Sequence, residues 1–353
     1  MKSALHEWVG CGLPAAPRIA KQRKPISREE YVDGILRGDR TVLARAVTLI
    51  ESGLAADRDL AEQIVEDCLP HSGNSIRVGI TGVPGAGKSS LIEALGKYLL
   101  AELKQKVAVL AIDPSSQLSG GSILGDKTRM TTLAASEMAF IRPSPSRGIG
   151  GGVAQRTREA MLLCEAAGYG NILIETVGVG QSETAVHEMV DFFLLITLAG
   201  AGDDLQGIKR GVMELADLIA VNKADGSNVV AAERARAEAQ NALHYFPGAE
   251  TGWTPRAMTC SALTGAGICE LWNCVLGYAA LTRENRWFGH VRREQQKRWM
   301  HEIIQQALRH RFDTHPGVRH CIAAFEHDVA AGRTTSFRAA RTLLEMYSRR
   351  PVD

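Results

Sequence analysis

The sequence has no C-x-x-C pair, no histidine run, no surplus of charge and no apolar stretch long enough to cross a membrane. Each absence excludes a class of protein. The seven cysteines are scattered and odd in number, which argues for free thiols in a reducing compartment and against a disulfide framework. Cys269 and Cys274 stand five apart in a predicted helix and make a poor metal pair. His310, His315 and His320 are spaced five apart around Pro316, a poor ligand geometry for one helix. A balance of 41 basic against 39 acidic residues leaves a net charge of +2 and no footing for nucleic acid. The longest apolar run, 192–202, falls short of the ~20 residues of a membrane helix and stops at Asp203. These exclusions describe a cytoplasmic protein with neither a nucleic-acid nor a membrane partner. Met1 to Lys24 lacks the apolar core of a secretory signal, and few Ser and Arg disfavour a transit peptide. Residues 1–25 are read as a disordered tail.

What is present begins with helices. Ser27 and Glu30 form a capping box, Asp39 is placed to cap a second helix and Asp57 a third. Pro70 and Gly73 close this N-terminal helical module, 26–74. From Ile76 strand and helix alternate. Strands are predicted at 76–81, 107–112, 139–142, 172–175, 192–198, 218–222 and 257–261, and helices at 89–103, 153–167, 182–190, 212–216, 229–245 and 268–281. Several strands are continuous apolar runs, the pattern of a parallel sheet covered on both faces. The fold class is α/β, and the G-x-x-x-x-G-K-[ST] match at 82–89 makes it a P-loop NTPase, with a mostly parallel sheet flanked by helices over 75–282 and helical extensions at both ends. The last part, 283–353, carries apolar stripes without a sheet to cover them: Trp299, Ile303, Ile304, Ala307 and Leu308, then Phe337, Leu343, Leu344 and Tyr347. Pairing with a second chain is favoured over folding back, which makes this segment a dimerisation arm. The basic run Arg292, Arg293, Lys297 and Arg298 reads as a solvated helix face.

The chemistry is concentrated at the predicted strand ends. Gly82, Val83, Pro84, Gly85, Ala86, Gly87, Lys88 and Ser89 fit G-x-x-x-x-G-K-[ST], between a strand and a helix that continues with Ser90. Glycines let the backbone N–H groups turn inward around phosphate, and the helix N-terminus adds partial positive charge. Lys88 would reach the β/γ-phosphates and the Ser89 hydroxyl would ligate Mg²⁺. Asn222, Lys223, Ala224 and Asp225 form N-K-x-D after an apolar strand. Guanine presents two adjacent donors, which one carboxylate, Asp225, can accept; adenine lacks the pair. Asn222 braces the loop, the Lys223 stem covers the base, and Ser261, Ala262 and Leu263 after Cys260 suit contact with the guanine carbonyl. Glu175 takes the place of the acid that senses the γ-phosphate, and could hold a metal-bound water or ligate directly. Asp113 and Asp126 lie in stretches that suit a Mg²⁺-linked switch, and Asp126 or Thr128 could approach the metal. Lys209 sits where it could neutralise phosphate charge. Val179 stands where a water-positioning Gln is usual and Gln181 is displaced, so slow intrinsic hydrolysis accelerated by a partner is expected.

Taken together these blocks resemble the methylmalonyl-CoA mutase-associated GTPases of the MeaB/ArgK type. The resemblance rests on GVPGAGKSS at 82–90, DPSS at 113–116, GGSILGDKTRM at 120–130, RPSPSRG at 142–148, ETVGVGQSE at 175–183, GDDLQGIKRG at 202–211, NKAD at 222–225 and CSAL at 260–263. It implies a GTPase using GTP/GDP and Mg²⁺ that gates cofactor delivery to an adenosylcobalamin-dependent acyl-CoA mutase and protects that enzyme. It further implies a homodimer formed by a C-terminal arm. Asp113, Asp126 and Glu175, with Ser89, would form the Mg²⁺ and switch network. Lys88, Asp113, Glu175 and Lys209 would serve hydrolysis, Lys209 from an extra switch at 202–211. The alternative is a nickel-insertion GTPase for another metalloenzyme. A protein or small-molecule kinase would need a substrate-hydroxyl base and no N-K-x-D.

Overall fold

The computed structural model describes residues 26–52, 54–112, 130–143, 153–176, 182–200, 210–246 and 250–348. The tail 1–25, Asp113, Asp126, Val179, Gln181 and Lys209 lie outside them. Among the described residues, seven strands form one parallel sheet in the order β3-β2-β4-β1-β5-β6-β7. They are β1 (Ile76–Gly82), β2 (Val107–Ile112), β3 (Ala139–Arg142), β4 (Asn171–Thr176), β5 (Phe192–Leu198), β6 (Leu218–Asn222) and β7 (Arg256–Thr259). The apolar runs explain the order of burial. Every residue of β1, β2, β4 and β6 is buried, because helices cover both faces. β1 lies between β4 and β5, so the glycine-rich loop leaves the centre of the sheet.

The two faces have separate cores. On one, the helices α4 (Lys88–Ala101) and α10 (Ile268–Glu284) bury Leu91, Leu95, Leu271 and Trp272 against β1, β5 and β6. The other face is covered by α6 (Val153–Ala166) and the N-terminal helices α1 (Arg28–Leu36), α2 (Arg40–Glu51) and α3 (Ala55–Cys68). Leu43, Val47 and Ile64 share that core with Leu110 and Ile172 of the sheet. Shorter helices α5 (Thr131–Ala135), α7 (Ser182–His187) and α8 (Arg210–Glu214) and the longer α9 (Val229–Leu243) complete the sheet's connections. Beyond them run α11 (Trp287–Thr314), α12 (Pro316–Ala330) and α13 (Ser336–Ser348). No helix among the described residues is long and apolar enough to cross a membrane.

Two sequence expectations are corrected here. Ser27 and Asp39 cap α1 and α2 as their spacing predicts, but Asp57 does not cap α3. That helix starts after Leu54, and the Asp57 carboxylate inside its first turn accepts from Ser52 Oγ at 2.6 Å. The basic run is not uniformly solvated either. The Arg292 side chain is 12 % exposed, because it reaches across to Asp191 and the start of β1.

Aspartates at strand roots hold the neighbouring strands in register. The Asp191 Oδ2 atom accepts from Arg77 N at 2.8 Å, and Asp217 Oδ2 from Phe193 N at 2.8 Å. Burial pushes the Asp217 carboxyl up to about 7, against the opposing pull of the Phe193 N–H. A carboxyl raised in the fold binds a proton that the unfolded chain has lost, so stability falls as pH rises from about 4 to about 7. Asp217→Asn keeps the acceptor and removes the titration. It is expected to raise stability at pH 8 by roughly 2–4 kcal/mol and to flatten the pH dependence in that window. Denaturant unfolding at pH 5 and pH 8 measures both.

Candidate functional site

The carboxyl ends of β1, β4, β6 and β7 converge on one site. At the end of β1, Gly82 packs so closely on β5 that a Cβ there would stand 2.1 Å from the Ile196 carbonyl oxygen. The loop then turns through Gly85 at φ 78° and Gly87 at φ 85°, both left-handed. Gly87 opens α4, and a Cβ on it would stand 2.8 Å from Asn222 Nδ2. Gly87→Ala therefore meets both backbone strain and a clash. It is expected to weaken nucleotide binding about 10- to 100-fold, from ~1–3 kcal/mol of strain, in a fluorescent-GDP titration.

Lys88 is partly buried and folds back over the loop. Its Nζ donates to the Gly82 carbonyl at 2.8 Å and the Val83 carbonyl at 3.3 Å. Burial lowers its affinity for a proton, while the carboxylates of Glu175 and Glu183 oppose that loss. An ammonium poised on backbone carbonyls can move onto phosphate oxygens. Ser89 Oγ donates to Glu175 Oε1 at 2.9 Å, in a buried contact. These two hard oxygens fit Mg²⁺: neighbouring ligands of an octahedron with ~2.05 Å bonds stand about 2.9 Å apart. One strand away Thr176 Oγ1 and Thr81 Oγ1 are 2.9 Å apart, which ties the end of β4 to the end of β1.

Asn222, 1 % exposed, joins three loops. Its Nδ2 donates to the Ala86 carbonyl at 2.8 Å, and its Oδ1 accepts from Ala262 N at 3.1 Å. The phosphate loop, the N-K-x-D loop and the loop after β7 are thus one unit. Ala224 N donates to the Cys260 carbonyl at 3.0 Å and reinforces it. Ser261 Oγ donates to Asp225 Oδ2 at 2.5 Å, which aims the carboxylate. Lys223 adopts φ 60°, the left-handed conformation that lets the chain reverse between the two. A cavity of about 600 Å³ lies between these loops and α4. Gly87, Ser90, Asn222, Lys223, Asp225, Ala262 and Leu263 all line it.

The cavity also takes in Glu93 and Lys97, which motif reading passes over. Helical spacing from Ser89 and Ser90 was the available signal, since residues three and four apart share a face. Glu93 pairs with Lys97 at 3.4 Å and accepts from Thr132 N at 2.9 Å, binding α4 to the start of α5. Glu183, buried on α7, is a third residue the motifs do not assign. No cluster of three or more His, Cys, Asp or Glu side chains able to hold a metal occurs among the described residues.

A glycine-rich G-x-x-x-x-G-K-S loop at the centre of a parallel sheet, bonded through Asn222 to the N-K-x-D loop, defines a P-loop GTPase. The chain belongs to the family described as methylmalonyl Co-A mutase-associated GTPase MeaB, which matches residues 43–317. GTPase ArgK of Escherichia coli (strain K12) is 50 % identical over 285 residues, 80 % of this chain and 86 % of its own length. A mitochondrial methylmalonic aciduria type A homolog of Mus musculus is 43 % identical over 336 residues, 91 % of this chain and 81 % of its own. A crystal structure described as a LAO/AO transport system kinase superposes with a TM-score of 0.73 at 37 % identity, covering 91 % of this chain and 98 % of that one. The family resemblance drawn from the motif blocks is borne out, and so is the P-loop α/β fold.

Proposed function

We propose that this GTPase acts as a GTP-timed chaperone for an adenosylcobalamin-dependent acyl-CoA mutase, gating cofactor loading and protecting the mutase. The observation that carries the reading is the match over residues 43–317 to a family described by its association with methylmalonyl Co-A mutase. The name of the mouse relative, methylmalonic aciduria type A homolog, points the same way. Nothing among the described residues favours the nickel-insertion alternative. The cytoplasm is the proposed location, in keeping with the unpaired cysteines.

In this reading Asp225 accepts the two guanine donors and Ser261 holds its carboxylate in place. Lys223 covers the base, Leu263 and Ala262 close the cavity, and Asn222 keeps base and phosphate loops in register. Lys88 leaves the Gly82 carbonyl for the β/γ-phosphates, with the loop N–H groups from Gly85 to Ser90 around them. Ser89 and Glu175, with Asp113 and Asp126, would hold Mg²⁺, which would supply positive charge to neutralise the phosphates. Lys209 is proposed to add charge at the γ-phosphate from its switch. A valine at 179 supplies no amide to orient the attacking water, so the isolated protein is expected to hydrolyse GTP slowly and the mutase to accelerate it.

The homodimer is proposed to form through 283–353, where Met300, Ile303, Ile304, Leu308, Phe337 and Leu344 are exposed. One experiment tests the whole: single-turnover GTP hydrolysis with and without a methylmalonyl-CoA mutase, beside co-purification in a non-hydrolysable GTP analogue. A nucleotide-dependent complex and a faster rate are expected. Fast hydrolysis alone, with no complex, would sink the chaperone reading.

A further inference from the structure

The geometry points to Arg292 as a positioning residue: through it the C-terminal arm fixes the roots of β1 and β5, and so the alignment of the phosphate loop at their far ends. The inference rests on reading that loop as the GTP site. Arg292 stands near the start of α11, at the opposite end of the sheet from the site. Its guanidinium makes a two-pronged contact with Asp191, Nε to Oδ1 at 2.8 Å and Nη2 to Oδ2 at 2.7 Å. The remaining prongs reach backbone: Nη1 donates to the Gly73 carbonyl at 2.6 Å and Nη2 to the Ser75 carbonyl at 2.8 Å. Phe288 lies under the plane of the group, 4.5 Å from its ring centroid. One turn on, Gln295 Nε2 donates to the Val190 carbonyl at 2.8 Å. The arm thus grips the residues just before β1 and just before β5.

Those residues decide how the two strands sit together. Asp191 exchanges contacts with Arg77, its N–H donating to the Arg77 carbonyl and its Oδ2 accepting from the Arg77 N–H. The β1–β5 ladder starts at the next pair, Val78 with Phe192. It ends at Gly82 with Ile196, where the strands touch so closely that no Cβ fits. Gly82 is also the residue whose carbonyl holds Lys88. Between root and tip both strands are buried almost throughout and have no slack. A displacement of one root relative to the other therefore reaches the loop. Arg77 and Glu165 complete the cluster, with Glu165 3.8 Å from Arg292, so two positive and two negative side chains neutralise one another. An apolar contact would suffice to dock a helix. An arginine fork that reads two carbonyls and a carboxylate specifies position as well.

The test uses the full chain, single-turnover GTP hydrolysis, fluorescent-GDP binding and amide exchange over 82–90 and 287–314. Arg292→Met is expected to slow hydrolysis about tenfold or more while GDP affinity stays within about threefold, because chemistry is more sensitive than binding to small misplacements. Exchange over 82–90 is expected to quicken. Arg292→Lys, which keeps the charge without the fork, should fall between Met and wild type. Glu302→Gln is the control. It removes the charge from the ion pair between α11 and Arg158 of α6, which does not touch the strand roots, and it should leave the rate unchanged. Should Arg292→Met fail to fold, Asp191→Asn with Arg292→Met removes both charges and carries the same expectation. A wild-type rate and unchanged exchange over 82–90 in the Arg292 variants would overturn the inference, and so would equal slowing by Glu302→Gln. Absence of hydrolysis in the wild type would count instead against the GTPase reading, and the exchange over 82–90 would still decide on Arg292.

Discussion

Asp225→Asn is expected to cut GTP affinity by about 10²–10⁴-fold and to admit xanthosine triphosphate in its place. The carboxylate offers two acceptors to two guanine donors. An asparagine offers one acceptor and one amide donor, so the guanine amine meets an N–H and goes unsatisfied. Xanthine carries a carbonyl where guanine carries the amine, and the new amide donates to it. The loss is large because the cavity wall holds the side chain in place: Ser261 Oγ reaches Asp225 from one side, and Thr264 N in turn donates to Ser261 Oγ at 3.1 Å. A swing to a second geometry would break the contact with Ser261, which Thr264 holds in place. Competition of unlabelled GTP, ATP and XTP against fluorescent GDP reads the change directly. An unchanged GTP preference would remove Asp225 from the role proposed for it and leave the base reader unassigned. The same variant should hydrolyse XTP by whatever pathway the wild type uses for GTP, since Lys88, Ser89 and Glu175 are untouched.

The largest stability effect is expected far from that cavity. Glu165 accepts from Arg77 Nε at 2.8 Å, from Arg77 Nη2 at 2.9 Å and from Gly73 N at 2.8 Å, and it is bonded to Ser75 Oγ as well. Glu165→Gln keeps the shape, loses the charge and turns an N–H toward donors. Removing one member of a buried charge cluster costs about 3–5 kcal/mol, because its partners stay buried and uncompensated. Urea unfolding at pH 7 should show that loss. Acid should distinguish the variant further. Burial pushes the Glu165 carboxyl up, but Arg77, Ser75 and Arg292 outweigh burial and hold it below its ordinary 4.5. Such a group contributes stability above its unfolded value and loses it as pH falls through the lower folded value. The wild type should therefore lose this contribution below about pH 4, and the variant should lack that part of the acid dependence.

Much of the site was legible because its chemistry is local. Gly82 to Ser90 announces a phosphate loop through spacing alone, and Asn222 to Asp225 announces a base reader through residue type at a strand end. Strand boundaries came close for the same reason: β2 is an unbroken apolar segment and β3, β5 and β6 are apolar but for Arg142, Thr197 and Asn222, and an apolar run of that length between turns has one good place in a covered sheet. Less legible were the residues whose role comes from a distant partner. Glu93 and Lys97 look like ordinary helix surface until α4 is laid against the loop after β7. Asp57 looked like a cap, but the cap position depends on where α3 starts, and Leu54 starts it.

The amino-acid order by itself determined the family and carried the proposed nucleotide chemistry, since loop glycines, Lys88, Ser89 and Asp225 are read through type and short-range spacing. Only the tertiary structure decided how those pieces are held. Asn222 joins the loops after β1, β6 and β7 across 136 and 40 residues of chain. Arg292 joins the arm to Gly73 and Asp191 across 219 and 101. A buried guanidinium and a solvated one have the same sequence, and what separates them is whether folding brings a carboxylate and free carbonyls to meet the donors, so that leaving water costs little.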